Sequence, residues 1–588
     1  MIPKTNPSDG HLSWRHMLPL LLTAFLASAS PVGDSVPDPL AVAGHASLRV
    51  DTIAIIPHGS LVGSKVLTTG DSLVYDWAEW FRDNVMRSRT TASTIRARLG
   101  FREGNTLDSL RLVDGERNLR SEHFLADAKI TTKVLDDGRN LVQVETWDRW
   151  STTLLEGINR SGGELSWLLG LRESDLLGTG QDVGFSYNYT PLARSWTETY
   201  THTAFLAPGG LLQVLWSEVS NGHDIVVNTG YPLRSRFQDW AWLVQFQDSL
   251  SDRRVLATPA LRTALDSRYA LGWGEDSWLS DAPQSEWRTA RAAFAHIWGH
   301  QTQTVLSAVA ESQLDSGATP GAAFSFDTAQ LPALRSDPQL RAWLQQAPQR
   351  DDRRLGLSLT VQDLDYLRLR NFNQLKWTED IPTGWSLTGT AMANVLSRGT
   401  VHDDGYLSAQ GKWTGVDGDA YGSATANWKS FFKDDQSTAG SAAWTAEGRW
   451  LEGNGLQAIA DATSQQVLGV PTWVSEVSLG EDNGLPGFPA RYMSGKGLFL
   501  STAEIRWALP LEALTVVPAL AVLGGAGRVS DEPSVWGVGS WHEGLGFGIR
   551  LGLTRSPSAI VNYVNLSHPL GSDAKLGWLF SFGAKQSL

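Results

Sequence analysis

The sequence predicts an all-β transmembrane barrel of antiparallel strands preceded by a small α+β domain. Three observations carry that reading. Apolar and aromatic residues recur at every second position along most of the chain after residue 150. No stretch beyond the N-terminus reaches the roughly 18 apolar residues that a membrane-spanning helix needs. The 588 residues hold 26 Trp and 57 Gly but only 19 % charged residues, a composition rich in rings and turns and short of charge. Alternation with one apolar face suits a wall that meets lipid outside and a wet lumen inside. Closure then follows, because an open sheet edge in hydrocarbon leaves backbone donors unpaired at several kcal/mol each. The tryptophans have a natural place at the two membrane interfaces. A soluble sandwich or propeller also alternates, but the sequence shows no propeller-like repeat of roughly 40 to 50 residues.

The first element is a secretory signal over residues 1–29. Lys4, Arg15 and His16 precede the apolar run Met17 to Ala27, which ends in Ala27-Ser28-Ala29, a small-residue cleavage pattern. Met17 is an alternative start. Residues 30–46 read as a linker. The chain has no cysteine, which excludes thiolate chemistry, disulfides and a thioether lipid anchor. Its net charge of -13 argues against a nucleic-acid partner and places the acidic excess in solvated loops.

Residues 47–150 form the α+β unit. Leu48, Val50, Ile53, Ile55 and Ile56 make a strand-like start broken by Pro57-His58-Gly59. A helix is expected over Thr91 to Leu99, capped by Thr90 or Thr91, and a second over Leu107 to Leu119. Strands over Ala128 to Leu135 and Leu141 to Thr146 flank Asp136-Asp137-Gly138, a hairpin signal. The expected order is strand, helix, helix, strand, strand.

From residue 151 to 588 the period is two. Val183, Phe185, Tyr187 and Tyr189 alternate with Gly184, Ser186 and Asn188; Leu212, Val214 and Trp216 share a face, as do Trp242, Val244 and Phe246, and Leu576, Trp578, Phe580 and Phe582. Residues 311–352 are expected as an outer loop with a short helix near Asp337-Pro338, and 271–288 as a second loop. The stretches around Pro232 and Pro382 read as periplasmic turns.

The stretch TIRARLGFREGNTLDSLRLVDGERNLRSEHFLADAKI resembles a polypeptide-transport-associated (POTRA) domain. That family carries a turn matched by Phe101 to Asn105, a helix end matched by Glu116 to Arg120, and a strand start matched by Asp127 to Ile130. Arg96, Gly104, Glu116 and Arg120 are its site residues here. Further on, ELSWLLGLRESDLLGTGQDVGFSY resembles the first barrel hairpin of the BamA/TamA family of outer-membrane proteins, of bacterial surface-antigen type. WHEGLGFGIRLGLTRS resembles its penultimate hairpin region, and the strand ending near Phe582 its C-terminal signal.

The resemblance implies sixteen strands and a sixth outer loop that folds into the lumen on a Val-Arg-Gly-Phe/Tyr motif. The matching positions are Leu485, Pro486, Gly487 and Phe488 in GLPGFPARYMSGKG. Pro486 stands where the family has arginine, and it has neither a cation nor an amide hydrogen. Arg491 offers a cation in another register, and Gly524-Gly525 stand where relatives often place an aspartate before a glycine. The expectation is a plug-like loop that keeps its shape without its ion pair, since losing both partners avoids a buried unpaired charge.

Enzyme signatures are absent from the sequence. His542-Glu543-Gly544 lacks a second histidine, Gly178-Thr179-Gly180 lacks dinucleotide spacing, and neither a Gly-x-Ser-x-Gly elbow nor a P-loop occurs. Asp351-Asp352 beside Arg353-Arg354 reads as a solvated strand end. The resemblance implies, with no cofactor or metal, a non-enzymatic factor that inserts or exports proteins at the bacterial outer membrane with its POTRA domain in the periplasm. It would act by strand augmentation at the POTRA edge and at a barrel seam formed by Val183, Phe185, Leu576, Trp578, Phe580 and Phe582. Its partners would be outer-membrane lipids, unfolded client proteins and other assembly factors. The alternative is a structural, adhesive or passive-pore barrel without that activity.

Overall fold

A computed structural model describes residues 47–58 and 90–586, except 150, 192, 221, 258–266, 269–277, 317–322, 325–337, 339–349, 371–377, 400–401, 452–454, 470–473, 476, 510, 512–515, 533–539 and 554–559. The signal, the linker and the helix expected beside Asp337 therefore lie outside the described residues or at their margin.

The N-terminal unit contains β1 (Leu48–Arg49), β2 (Thr52–His58), α1 (Ala92–Arg96), β3 (Thr106–Leu107), α2 (Ser109–Arg120), β4 (Leu125–Val134) and β5 (Asn140–Asp148). Its main sheet runs β2-β5-β4, with β2 parallel and β4 antiparallel to β5, and β1 pairs β3. Thr91 caps α1 by accepting from the Thr94 amide, and Asp108 caps α2 by accepting from the Arg111 amide, satisfying donors a helix cannot pair internally. The helices, with Leu99 in the turn after α1, pack Ile95, Leu112 and Leu119 against Ile53, Ile130, Val142 and Val144. Each buried side chain of this size contributes roughly 1.5–3 kcal/mol. Gly104 holds φ +90, a conformation that favours glycine, and donates its amide to the Val50 carbonyl at 2.8 Å.

Among the described residues, twenty long strands close into one antiparallel barrel, with the two-residue strands Ala323–Phe324 and Val474–Ser475 added at its rim. The expectation of sixteen strands is therefore wrong. Chain length after residue 150 accommodates either number, so the count rests on where short turns fall. The first strand is Thr152–Ser161, the second Glu164–Glu173, the third Gln181–Tyr189 and the last Leu579–Gln586.

The outward residues make an apolar exterior: Leu165, Trp167, Leu169 and Leu171 are all exposed, with their neighbours turned to the lumen. Exposed tryptophans fall near both ends of the wall, Trp240, Trp413 and Trp507 at the end carrying the N-terminal unit and Trp167, Trp196 and Trp216 at the far end. An apolar belt with aromatic girdles on a closed barrel is the form of an outer-membrane protein.

Several turn readings change. The ninth strand continues through Glu311 to Ser316, the tenth starts at Arg350 and the eighth at Trp278, so the expected loops at 311–352 and 271–288 are shorter than their sequence suggests. Pro232 does lie in a turn, but Pro382 sits inside the eleventh strand, Thr378–Ser397, opposite Tyr366. Asp352 and Arg354 are not solvated: both are fully buried, paired with each other, and Arg354 also reaches Glu311 at 3.0 Å. Their neighbours Asp351 and Arg353 point outward, so strand alternation divides the quartet into two pairs.

Candidate functional site

Two features stand out against the regular wall: the junction of the last and first strands with the loop folded over it, and the face where the N-terminal unit meets the barrel.

The last and first strands share one registered pair, Phe582↔Arg160. Every other junction between neighbouring long strands carries at least as many registered pairs as the seven that run from Trp167↔Tyr189 to Glu173↔Val183. Val183 and Phe185 thus belong to the third strand and not to the seam. The hairpin matched to the family's first is the second, because a preceding strand of weaker pattern, TTLLEGINRS, opens the barrel. Phe580 and Phe582 do lie on the closing strand, while Leu576 and Trp578 lie just before it. Side chains bridge the seam where backbone bonds are few. Tyr563, on the penultimate strand, donates to Asn159 Oδ1 at 2.9 Å, across a last strand narrowed to Gly583.

The loop between Leu468 and Gly497 folds inward over this seam. It is the eighth far-end connection, not the sixth, as twenty strands require. A short hairpin, Val477–Leu479 with Met493–Gly495, frames it, followed by a 3₁₀ turn at Glu481–Asn483. Leu485 and Phe488 are fully buried with Leu479, Leu498 and Leu500, and the Phe488 ring meets His542 edge-on at 6.0 Å. Gly487 holds φ +83 with its Cα against His568 and Pro569, so the motif's glycine serves a close approach. Pro486 lies against Gly525 and Gly544: a Cβ on Gly544 would fall 1.9 Å from the Pro486 carbonyl oxygen. Of the two glycines found where relatives place an aspartate, Gly525 makes room for the proline, since a Cβ there would fall 2.8 Å from Pro486 Cδ.

The loop is not without an ion pair. Arg491 forks onto Glu164 at the start of the second strand, one nitrogen at 3.1 Å, and its amide donates to Asp482 at 3.0 Å. Arg491 adopts φ 53, a costly conformation for a non-glycine residue, held by these bonds. Glu481 spans the seam. It accepts from the Gly162 amide at 2.9 Å on the first hairpin and from Ser581 Oγ at 3.1 Å on the last strand. The Ala490 amide donates to the Gly162 carbonyl at 2.9 Å. Burial lifts the carboxyls of Glu481 and Asp482 above their ordinary range. The loop thus fastens both sides of a junction that its own ladder barely closes.

At the other end, the N-terminal unit is bonded to the barrel's turns. Arg98, fully buried, donates to Thr203 Oγ1 at 2.9 Å and to the Gly180 carbonyl at 3.2 Å, and pairs with Glu122 at 3.2 Å. Thr91 donates its amide to the Gly178 carbonyl at 2.9 Å, and Thr90 donates its hydroxyl to Asp175 at 2.8 Å. Burial raises the Asp175 carboxyl despite these donors. From α2, Asp114 accepts from Ser235 at 2.5 Å, and the Arg117 guanidinium lies over Tyr366 at 4.1 Å. Arg120 forks onto Asp380 at 2.8 and 2.9 Å, and Arg368 donates to Glu116 at 2.5 Å. Of the N-terminal residues singled out in the sequence, Glu116 and Arg120 meet the barrel, whereas Arg96 pairs with Glu103 at 2.5 Å within its own unit.

Sequence reasoning missed Arg98, Arg160, Glu164, Arg368, Asp380 and Glu481. None carries a local signal, since each is defined by a partner distant in the chain. Among the described residues, no group of three or more His, Cys, Asp or Glu side chains could hold a metal.

No protein-family model matches the chain, and no curated protein matches it. Among solved structures it is similar to BamA from Haemophilus ducreyi lacking POTRA domains 1–3, at 10 % identity and TM-score 0.39 over 92 % of this chain and 84 % of that one. It is also similar to CdiB from Escherichia coli, at 13 % identity and TM-score 0.41 over 98 % and 99 %. The FrpB iron transporter from Neisseria meningitidis matches at 10 % identity and TM-score 0.37 over 78 % and 87 %. Similarity at this level, spread over barrels of different kinds, does not assign the chain to any one of these groups.

Proposed function

We propose that this protein inserts or translocates other proteins at a bacterial outer membrane, with its N-terminal unit a periplasmic POTRA domain. The observation that carries the reading is the seam: one registered strand pair, fastened by the side chain of Glu481 from the inward loop. Unpaired strand edges bind extended polypeptide through backbone bonds, and a barrel needs a complete ladder at every other junction to remain stable in lipid. A single weak junction is thus the place where the wall can open sideways and pair with a client strand. The N-terminal unit, bonded around the barrel's near mouth, stands where a client would arrive.

A lumenal cavity of about 780 Å³ beside the loop, with Glu164, Glu504, Arg506 and Arg550 among its lining, favours a second reading, a passive pore. The two are separated by reconstituting the full chain in liposomes and following an unfolded outer-membrane barrel to protease resistance. The proposal expects faster acquisition than with liposomes carrying an unrelated barrel. Ion conductance without acceleration would favour the pore.

A further inference from the structure

The free edge of β4 is not bare. Its outward-facing groups at the first turns are met by side chains from α2: the Ile130 amide donates to Glu116 at 3.0 Å, and the Ala128 carbonyl accepts from Arg120 at 3.2 Å. A carboxylate taking an N–H and a guanidinium giving to a C=O are the two bonds an incoming strand would make there. Covering a sheet edge in this way is how proteins prevent unwanted strand pairing.

The cover is tied to the barrel. Among the described residues, the tenth strand, Arg350–Arg370, has no neighbour beyond Asp363 except the eleventh, and the eleventh before Gly384 has none except the tenth. This two-stranded extension reaches α2, where Arg368 holds Glu116 and Asp380 holds Arg120 in a fork. All four side chains are largely buried. The same carboxylate and guanidinium that cover the edge are therefore the ones the barrel grips. Further along β4, Thr132 and Val134 share Ile130's side of the ladder, and no side-chain cap meets them among the described residues; Val134 is 71 % exposed.

We propose that the β4 edge is a latched docking strand for extended polypeptide. The barrel's hairpin extension keeps Glu116 and Arg120 over Ala128–Ile130, and a client strand pairs along Ala128–Val134 only when that grip is released. This rests on the proposed function and adds its regulation: the domain is closed while docked and open when it leaves the hairpin.

The test uses the full chain in detergent and a fluorescein-labelled peptide, LLQVLWSEV, copied from its own strand Leu211–Val219. Asp380→Asn, which keeps the side-chain volume, and the double variant Arg368→Gln/Asp380→Asn release the grip without altering the edge. Both should bind the peptide about tenfold or more tighter than the unaltered chain, the scale of one charge-assisted hydrogen bond. Adding Thr132→Pro, which removes an outward amide at an edge position where proline is tolerated, should abolish that gain. Unchanged affinity in both variants, or a gain that survives Thr132→Pro, overturns the latch. The liposome assay reads the parent proposal separately: acceleration with unchanged peptide affinity sinks the latch alone, and tighter binding without acceleration sinks the insertion reading alone.

Discussion

Replacing Gly544 with alanine is expected to force the inward loop off the barrel wall and raise the barrel's conductance. The added Cβ would fall 1.9 Å from the Pro486 carbonyl oxygen and 3.0 Å from its carbonyl carbon. Both are backbone atoms, so no rotamer change relieves the overlap. Pro486 cannot retreat freely, because Gly487 already lies against His568 and Pro569 and Phe488 is buried behind it. Gly544 itself sits in a strand without positive φ, so alanine suits its own backbone and the effect falls on the loop. Losing the burial of Leu485 and Phe488 costs roughly 3–6 kcal/mol, two large side chains together. The loop should then be cut by trypsin at Arg491 far faster than in the unaltered chain, and single-channel conductance should rise. Gly524→Ala is the control, since the one close approach of its Cβ would be 2.9 Å to the end of the Leu545 side chain, which can turn aside. Equal trypsin sensitivity in Gly544→Ala and the unaltered chain would show that the loop is not seated as described.

The second large effect is expected at Arg98. Its guanidinium satisfies Thr203, the Thr94 carbonyl, the Gly180 carbonyl and Glu122 from a buried position, and lies 5.1 Å from the Phe124 ring centroid. Arg98→Ala leaves Glu122 buried with only Thr203 and a long contact to Arg234 at 3.3 Å. Removing one partner of such a pair typically costs about 3–5 kcal/mol. The N-terminal unit should detach from the turns at Gly178–Gly180 and Thr203, seen as faster hydrogen exchange at the Thr91 amide, which bonds Gly178 directly. Arg98→Lys keeps the charge but not the fork, and should recover only part of the loss. Exchange at Thr91 that stays slow in Arg98→Ala would mean the docking rests elsewhere.

How much of this was legible in the sequence follows from the range of each interaction. The N-terminal helices and hairpin are local: Asp108 caps α2 three residues before the amide it holds, and Asp136-Asp137-Gly138 turns between strands that pair directly. Barrel alternation is equally local, and the lipid-facing residues of the second strand follow it residue by residue. The strand count was not legible, because the first strand, TTLLEGINRS, mixes charged and polar residues into its pattern, and the eleventh carries a proline. Missing the first strand, and taking the later strand of the matched hairpin as the edge, displaced the seam to Val183 and Phe185 on the third strand.

The loop motif was legible as a shape, since Gly487 and Phe488 do what their residue types suggest. Its ion pair was not, because Arg491 and Glu164 are 327 positions apart. The quartet Asp351 to Arg354 shows the same limit. Its charges look like a solvated cluster until alternation turns Asp352 and Arg354 inward, where they pair with each other and Arg354 meets Glu311 on the strand before.

Insertion or translocation through the wall requires the seam between the first and last strands to open. The chain has no cysteine, so Arg160→Cys with Phe582→Cys places a lone pair across the one registered junction. Directly opposed residues on antiparallel strands have Cα atoms about 4.5–5.5 Å apart, within disulfide range. The measurement is the rate at which an unfolded outer-membrane barrel becomes protease-resistant in liposomes carrying this double variant, oxidised and then reduced. The oxidised form is expected to lose the acceleration, and reduction to restore it. Equal acceleration with the seam locked would contradict that requirement and place the activity away from the junction.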